Sequence, residues 1–300
     1  MKLIKYIYNG KPSFGHYVDS DKIIDIATKF NYTDILDLIK SSNKSVIEYL
    51  ESSDPLVLSE TDINILAPIQ PRSLRDAYAF RQHVETSRRN RGLDMIEEFD
   101  DFPVYYYSNA DAVMGPGDIH VDSIFMNKLD FELEVAILIG KEGINIECND
   151  ADSYISGFMV MNDFSARDLQ MAEMKLNLGP AKGKDFATSI GPFIVTPDEI
   201  INQTTETKNG NRYSLGMECF INSEKISQDN LGNMSWTFAQ IIERVSQGTK
   251  IYPGDIIGSG TCATGCFLEL NQINNERWLK KDDTIELRVE NLGSLINTIK

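Results

Sequence analysis

The sequence predicts a strand-rich α+β fold in two parts, a small N-terminal α+β unit over residues 1–68 and a larger β-rich domain over residues 69–300. Three observations lead there. Beyond residue 70, short apolar stretches recur between Gly, Pro, Asn and Asp turns, the pattern of many short strands. At the junction, Ala67-Pro68-Ile69-Gln70-Pro71 carries two prolines, and each disfavours helix in the residue before it. With 300 residues, 42% hydrophobic and 25% charged, the chain can bury a sizeable core and has neither a disordered nor a coiled-coil composition.

Taken in order, Leu3-Ile4-Lys5-Tyr6-Ile7-Tyr8 alternates ahead of a Gly10 turn and reads as a strand. Residues 35–50 have the spacing of amphipathic helix. Strands are predicted over 133–139, 157–161, 192–195, 214–221, 255–257, 267–270 and 284–289. Helices are predicted over 80–91, where charge is dense, and over 237–247, where Phe238, Ile241, Ile242 and Val245 recur at helical spacing.

Acidic residues outnumber basic ones 45 to 29, a formal charge of −16 that opposes phosphate backbones and anionic lipid, so no nucleic acid or membrane partner is expected. No apolar run approaches the roughly 20 residues of a membrane span. The start, Met1-Lys2-Leu3-Ile4-Lys5-Tyr6, is too polar for a signal peptide, which makes the cytoplasm the expected location. Cys148, Cys219, Cys262 and Cys266 lack paired CxxC spacing and read as reduced thiols. With only three histidines, His16, His83 and His120, a zinc site built on several imidazoles is excluded, and a metal would sit among oxygens.

The segment Asp130-Phe131-Glu132-Leu133-Glu134-Val135 is the most informative. Strand side chains alternate, so Phe131, Leu133 and Val135 bury one face while Glu132 and Glu134 share the other. Two carboxylates on one face either look out to solvent or hold a hard cation such as Mg2+, Ca2+ or Mn2+. Downstream, Asn162-Asp163-Phe164-Ser165-Ala166-Arg167-Asp168-Leu169-Gln170 follows an apolar strand and begins with residues suited to cap a helix. It is either a salt-bridged first helical turn or a polar cluster at a strand end, where sites are built. In Leu178-Gly179-Pro180-Ala181-Lys182-Gly183-Lys184-Asp185 the order of a phosphate loop is missing, so nucleotide binding is not expected. Lys184, presented from a glycine turn, is either a solvated lysine or an oxyanion partner.

Three more blocks complete the set: Arg75-Asp76-Ala77-Tyr78-Ala79-Phe80-Arg81-Gln82-His83, Gly258-Ser259-Gly260-Thr261 and Phe267-Leu268-Glu269-Leu270. Together the five blocks resemble the fumarylacetoacetate hydrolase family, nearer to the fumarylacetoacetases and acylpyruvate hydrolases than to its more distant branches. The likeness runs from about Asp76 to Asn297, and NDxSARDxQ, here Asn162 to Gln170, is its most specific motif. The resemblance implies a β-rich sandwich roll of mixed sheets and, usually, a homodimer. It also implies a metal site of Asp76, Glu132, Glu134 and Asp163, holding Mg2+, or else Ca2+ or Mn2+. By the same resemblance His83, polarised by Glu269, activates water; Lys184, Arg167 and Gln170 stabilise developing charge; and Tyr78, Tyr106 and Thr261 contact substrate. The chain departs from the fumarylacetoacetases at Met174, where they place a tyrosine. It also offers three arginines, Arg88, Arg89 and Arg91, for the single one the family places beyond the histidine.

These residues point to a hydrolase cleaving the C–C bond of a 1,3-diketo acid, an acylpyruvate or fumarylacetoacetate-like compound. The alternative is a decarboxylase, dehydratase or tautomerase of a 2-keto acid, which reuses the carboxylates but needs no base for water. A silent metal-binding scaffold is the reading from another class, and the presence of every expected catalytic residue type weighs against it.

Overall fold

The computed structural model describes residues 1–40, 44–271 and 276–300. Among these, apolar alternation builds a 12-stranded sheet. Its main path runs Val57–Leu58, Lys22–Asp25, Lys11–Asp19, Lys2–Tyr8, Thr188–Val195, Ile155–Asp163, Leu133–Ile139, Asp255–Gly258, Ser73–Ala77 and Tyr105–Ser108, from edge to edge without closing. Asp255–Gly258 lies parallel to Ser73–Ala77, and the other pairs along this path are antiparallel. A five-stranded sheet, in the order Glu224–Asn230, Gly216–Ile221, Thr284–Val289, Gly293–Ile299 and Gly117–Ile119, packs its Cys219, Leu287 and Leu295 into the same core as Val135 and Ile137 of the large sheet. The strand-rich α+β sandwich read from the sequence is the fold observed.

The strand Leu133–Ile139 shows how the site comes to lie inside the protein. Val135, Ile137 and Ile139 enter the core between the sheets, whereas Ala136 and Leu138 enter a second core on the opposite face. That second core is closed by Ile35, Leu38 and Val46 from the helical segments Ile35–Lys40 and Lys44–Leu50. Glu132 and Glu134, further along the face that Ala136 and Leu138 share, are 4% and 0% exposed, so the solvated-strand alternative is overturned. Strand Lys2–Tyr8 pairs with Thr188–Val195, Leu3 opposite Ile194, so the N-terminal strands continue the sheet that carries the site. Residues 41–43 of the predicted helical stretch lie outside the described residues.

Two local expectations fail for identifiable reasons. Residues 267–270 form a helical turn, Phe267–Leu270, where a strand was predicted. The backbone N–H groups of Phe267 and Leu268 both donate to the buried Asp130 carboxylate, at 2.8 and 3.0 Å, and an anion at those donors favours a helix start. The helix expected to be capped at Asn162 begins only at Arg167, as Arg167–Met174, because strand Ile155–Asp163 runs on through Asn162 and Asp163. The predicted helices at 80–91 and 237–247 are observed as Arg81–Arg89 and Phe238–Ser246, the latter started by a Thr237–Gln240 capping box.

Candidate active site

Adjacent strand ends bring the carboxylates together. Asp76 stands in register with Gly258 on one neighbouring strand and with Tyr106 on the other. Glu134 is the second residue of Leu133–Ile139, and Asp163 closes the next strand over. Ligand oxygens of Asp76, Glu132, Glu134 and Asp163 lie within 4.8 Å of one another, and all four side chains are buried. Glycine makes the room: a Cβ on Gly258 would lie 2.4 Å from Asp76 Oδ1 and 3.1 Å from Glu134 Oε2. Gly260, at φ +78°, turns its N–H onto Asp76 Oδ1 at 3.0 Å in a conformation that L side chains rarely adopt.

Two cations reach the cluster. Lys184 Nζ donates to Asp163 Oδ2 at 2.6 Å and to Glu132 Oε2. The Arg167 guanidinium donates to Asp130 Oδ2 at 2.8 Å, to Glu132 Oε1 at 2.7 Å and to Gln170 Oε1 at 3.0 Å. Five buried carboxylates, Asp130 included, thus face two buried cations. Burial and the excess negative charge together shift these carboxylates. Burial, then the charge of Asp163, lifts Asp76 to about 7. Burial, then Asp76, pushes Glu134 well above the usual carboxylate range. Glu132 goes the other way: burial opposes it, but Lys184 and Arg167 hold it down to about 2. Lys184 is held above its ordinary value by Asp163 and Glu132 although burial works against its charge.

The helical turn at Phe267–Leu270 aims Glu269 at the helix Arg81–Arg89, where its Oε1 accepts from His83 Nδ1 at 2.6 Å. Tyr78 packs edge-on against the His83 ring at 5.7 Å between centroids, and burial lifts its phenol to about 12. Tyr106 OH donates to Asp163 Oδ2, and Thr261 Oγ1 donates to Glu134 Oε1 at 3.2 Å. These groups surround a pocket of about 240 Å3. Of the twelve site residues expected from the sequence, nine line it. The other three each touch one that does: Glu134 through Thr261, Asp163 through Lys184 and Glu269 through His83.

The donor set fits a hard divalent cation. It is all oxygen, it carries surplus negative charge, and Glu134 Oε2 is buried with no hydrogen-bond partner among the described residues. One further residue lay beyond the sequence reading, and a choice among three arginines was left open by it. Asp130 is fully buried and ties Arg167 to the turn that carries Glu269; its only signal was its place before the Glu-x-Glu strand. Arg91 is the arginine that lines the pocket, whereas Arg88 bonds the Asp94 carbonyl and Arg89 bonds Thr86. Met174 lines the pocket beside Met171.

A mixed β sandwich thus carries a buried tetracarboxylate cluster beside a His–Glu pair. The comparisons give the family. A model described as fumarylacetoacetate (FAA) hydrolase C-terminal matches residues 73–300, and the chain belongs to the fumarylacetoacetate hydrolase family. The mitochondrial oxaloacetate tautomerase FAHD2A of Bos taurus is 32% identical over 272 residues, 85% of this chain and 80% of that protein. Its rat counterpart is 32% identical over 200 residues, 66% of this chain, so the match spans 58% of that relative's length. Among solved structures, the fumarylacetoacetate hydrolase of Exiguobacterium antarcticum has the same fold with a TM-score of 0.75 at 23% identity, covering 100% of this chain and 99% of that one. The fumarylpyruvate hydrolase of Pseudomonas aeruginosa, in complex with Mn2+ and pyruvate, superposes with a TM-score of 0.61 at 18% identity over 83% of this chain and 92% of that one.

Proposed function

We propose that the chain is a divalent-metal-dependent hydrolase that cleaves the carbon–carbon bond of a 1,3-diketo acid, an acylpyruvate or a fumarylacetoacetate-like compound. The observation that carries this reading is the buried His83–Glu269 pair opening on the pocket that Asp76 and Glu132 of the carboxylate cluster line, which joins a base for water to an anchor for a keto acid. Glu269 is an acceptor and fixes the Nδ1–H tautomer, so Nε2 carries the lone pair; it makes no hydrogen bond to the described residues. His83 takes a proton from water through that atom, and the water oxygen bonds to the carbonyl carbon. The C–C bond then breaks, its electron pair leaves as an enolate, and the proton on His83 goes to the enolate carbon. Glu269 steadies the imidazolium meanwhile. Arg167, Gln170 and Lys184 face the negative charge that develops, and Tyr78, Tyr106 and Thr261 position substrate oxygens. Held by Asp76, Glu132, Glu134 and Asp163, Mg2+, or else Ca2+ or Mn2+, would supply positive charge to adjacent substrate oxygens.

A second reading, keto–enol tautomerisation of oxaloacetate, is favoured by the bovine relative's name. It moves protons on carbon and consumes no water. Acylpyruvate cleavage and oxaloacetate tautomerisation, each assayed with Mg2+ and with chelator, separate the two. Metal-dependent cleavage supports the first; tautomerisation without cleavage overturns it. A homodimer in the cytoplasm belongs to the same proposal; among the described residues no helix is long and apolar enough to cross a membrane.

A further inference from the structure

We propose that His83, Cys266 and Glu269 form an inhibitory site for a thiophilic divalent cation, Zn2+ above all, separate from the carboxylate cluster. The inhibitory effect rests on His83 being the hydrolytic base; the site itself does not. One ligand atom from each residue lies within 4.8 Å of the other two. The three residues are 5%, 0% and 7% exposed, so a bound ion would be shielded from competing water. Cys266 Sγ stands 3.9 Å from Glu269 Oε1, the same oxygen that meets His83 Nδ1. The other oxygen of that carboxylate, Oε2, is buried without a partner among the described residues, a vacant acceptor within the cluster.

The chemistry of the donors decides which ion. Tetrahedral zinc takes sulfur, nitrogen and carboxylate oxygen, with ligand atoms roughly 3.5 Å apart, so small side-chain rotations suffice to close this set. The Asp76, Glu132, Glu134 and Asp163 cluster has neither nitrogen nor sulfur and favours hard ions. The two sites therefore sort cations by softness. The Cys266 thiol proton leaves to solvent as the metal–sulfur bond forms. Zinc on Nδ1 displaces the Glu269 hydrogen bond and the Nδ1 proton, which passes to solvent while Nε2 takes one up, so the neutral ring then carries its proton on Nε2. The atom that would accept a proton from water then has no lone pair to offer.

The test uses Co2+ and Zn2+ on intact protein saturated with Mg2+. Co2+ should give a thiolate-to-metal charge-transfer band in the near ultraviolet that is absent in Cys266→Ser and Cys266→Ala. Zn2+ should inhibit acylpyruvate cleavage in a way that more Mg2+ does not relieve. Cys266→Ser should keep turnover while needing at least about tenfold more Zn2+ for the same inhibition, the scale of losing a contact that supports a metal. No such band, a band unchanged in both variants, or inhibition that Mg2+ relieves and Cys266→Ser retains would overturn the proposal. If acylpyruvates are not cleaved but the Cys266-dependent band appears, the site stands and the hydrolase reading falls.

Discussion

In metal-free protein the carboxylate cluster should make stability fall as pH rises from about 4 to about 7, and Asp76→Asn should make that fall smaller, with the raised Glu134 keeping the rest of it. Asp76 is the gauge because its ordinary value of 3.8 is lifted to about 7 in the folded chain. Between those values the unfolded chain has released the proton and the native state still holds it. The unfolded state therefore binds fewer protons, and each pH unit costs the folded state about 1.4 kcal/mol. Across the window the loss is on the order of 4 kcal/mol, a large share of a typical domain's stability. Glu132, held at about 2 against an ordinary 4.5, works in the opposite sense, but its contribution is complete above the ordinary value and fades only as pH falls toward 2. It stays constant through most of the window. Asparagine keeps an oxygen for the Gly260 N–H while removing the titration. The assay is urea unfolding in chelator at several pH values between about 5 and 7, repeated with Mg2+. Wild type should lose at least about 2–3 kcal/mol over that range, Asp76→Asn measurably less because only Glu134 and its neighbours still titrate, and Mg2+ should flatten the wild-type curve. Chelated wild type that holds or gains stability over this range, or Asp76→Asn that tracks it, would refute the reasoning.

Lys184→Met should lower kcat far more than it raises KM in steady-state kinetics, since a cation facing charge that develops during reaction acts on the transition state. A raised KM at unchanged kcat would place Lys184 on the ground-state carboxylate instead. Asp163→Asn should weaken Mg2+ binding by calorimetry and abolish activity, because it removes one anionic ligand and a partner of Lys184. Asp130→Ala should cost about 3 kcal/mol by urea unfolding, as it strands the buried Arg167, and should lower kcat although Asp130 does not line the pocket.

Much of this was readable from local pattern. Alternation in Leu133–Ile139 and the apolar run of Ile155–Asp163 placed the strands and put Glu132 and Glu134 on one face, whereas the family resemblance joined Asp76 and Asp163 to them. What the pattern could not carry was anything set by a distant partner. Phe267–Leu270 alternates like a strand over four residues, too short a stretch to separate the two periods, and becomes helical because Asp130, 137 residues away, accepts its first N–H. The same bond makes Asp130 matter, and nothing near it in sequence announces that. The choice of Arg91 over Arg88 and Arg89 depends on which turn of Arg81–Arg89 and its end faces the pocket. Glu132 and Glu134 read as two-sided because the groups that meet them, Arg167, Lys184 and Thr261, stand far away in sequence.

His83→Ala tests the central claim most directly, that water is activated by the buried His83–Glu269 pair. In one preparation, with Mg2+ saturating, acylpyruvate cleavage and oxaloacetate decarboxylation are measured side by side. Cleavage should fall by roughly 10² to 10⁴, the usual worth of a positioned base, and Glu269→Gln should fall less. Decarboxylation, which needs enolate stabilisation but no base for water, should be largely retained, as should Mg2+ affinity. Parallel loss of both activities, or acylpyruvate cleavage that survives in His83→Ala, would contradict the account.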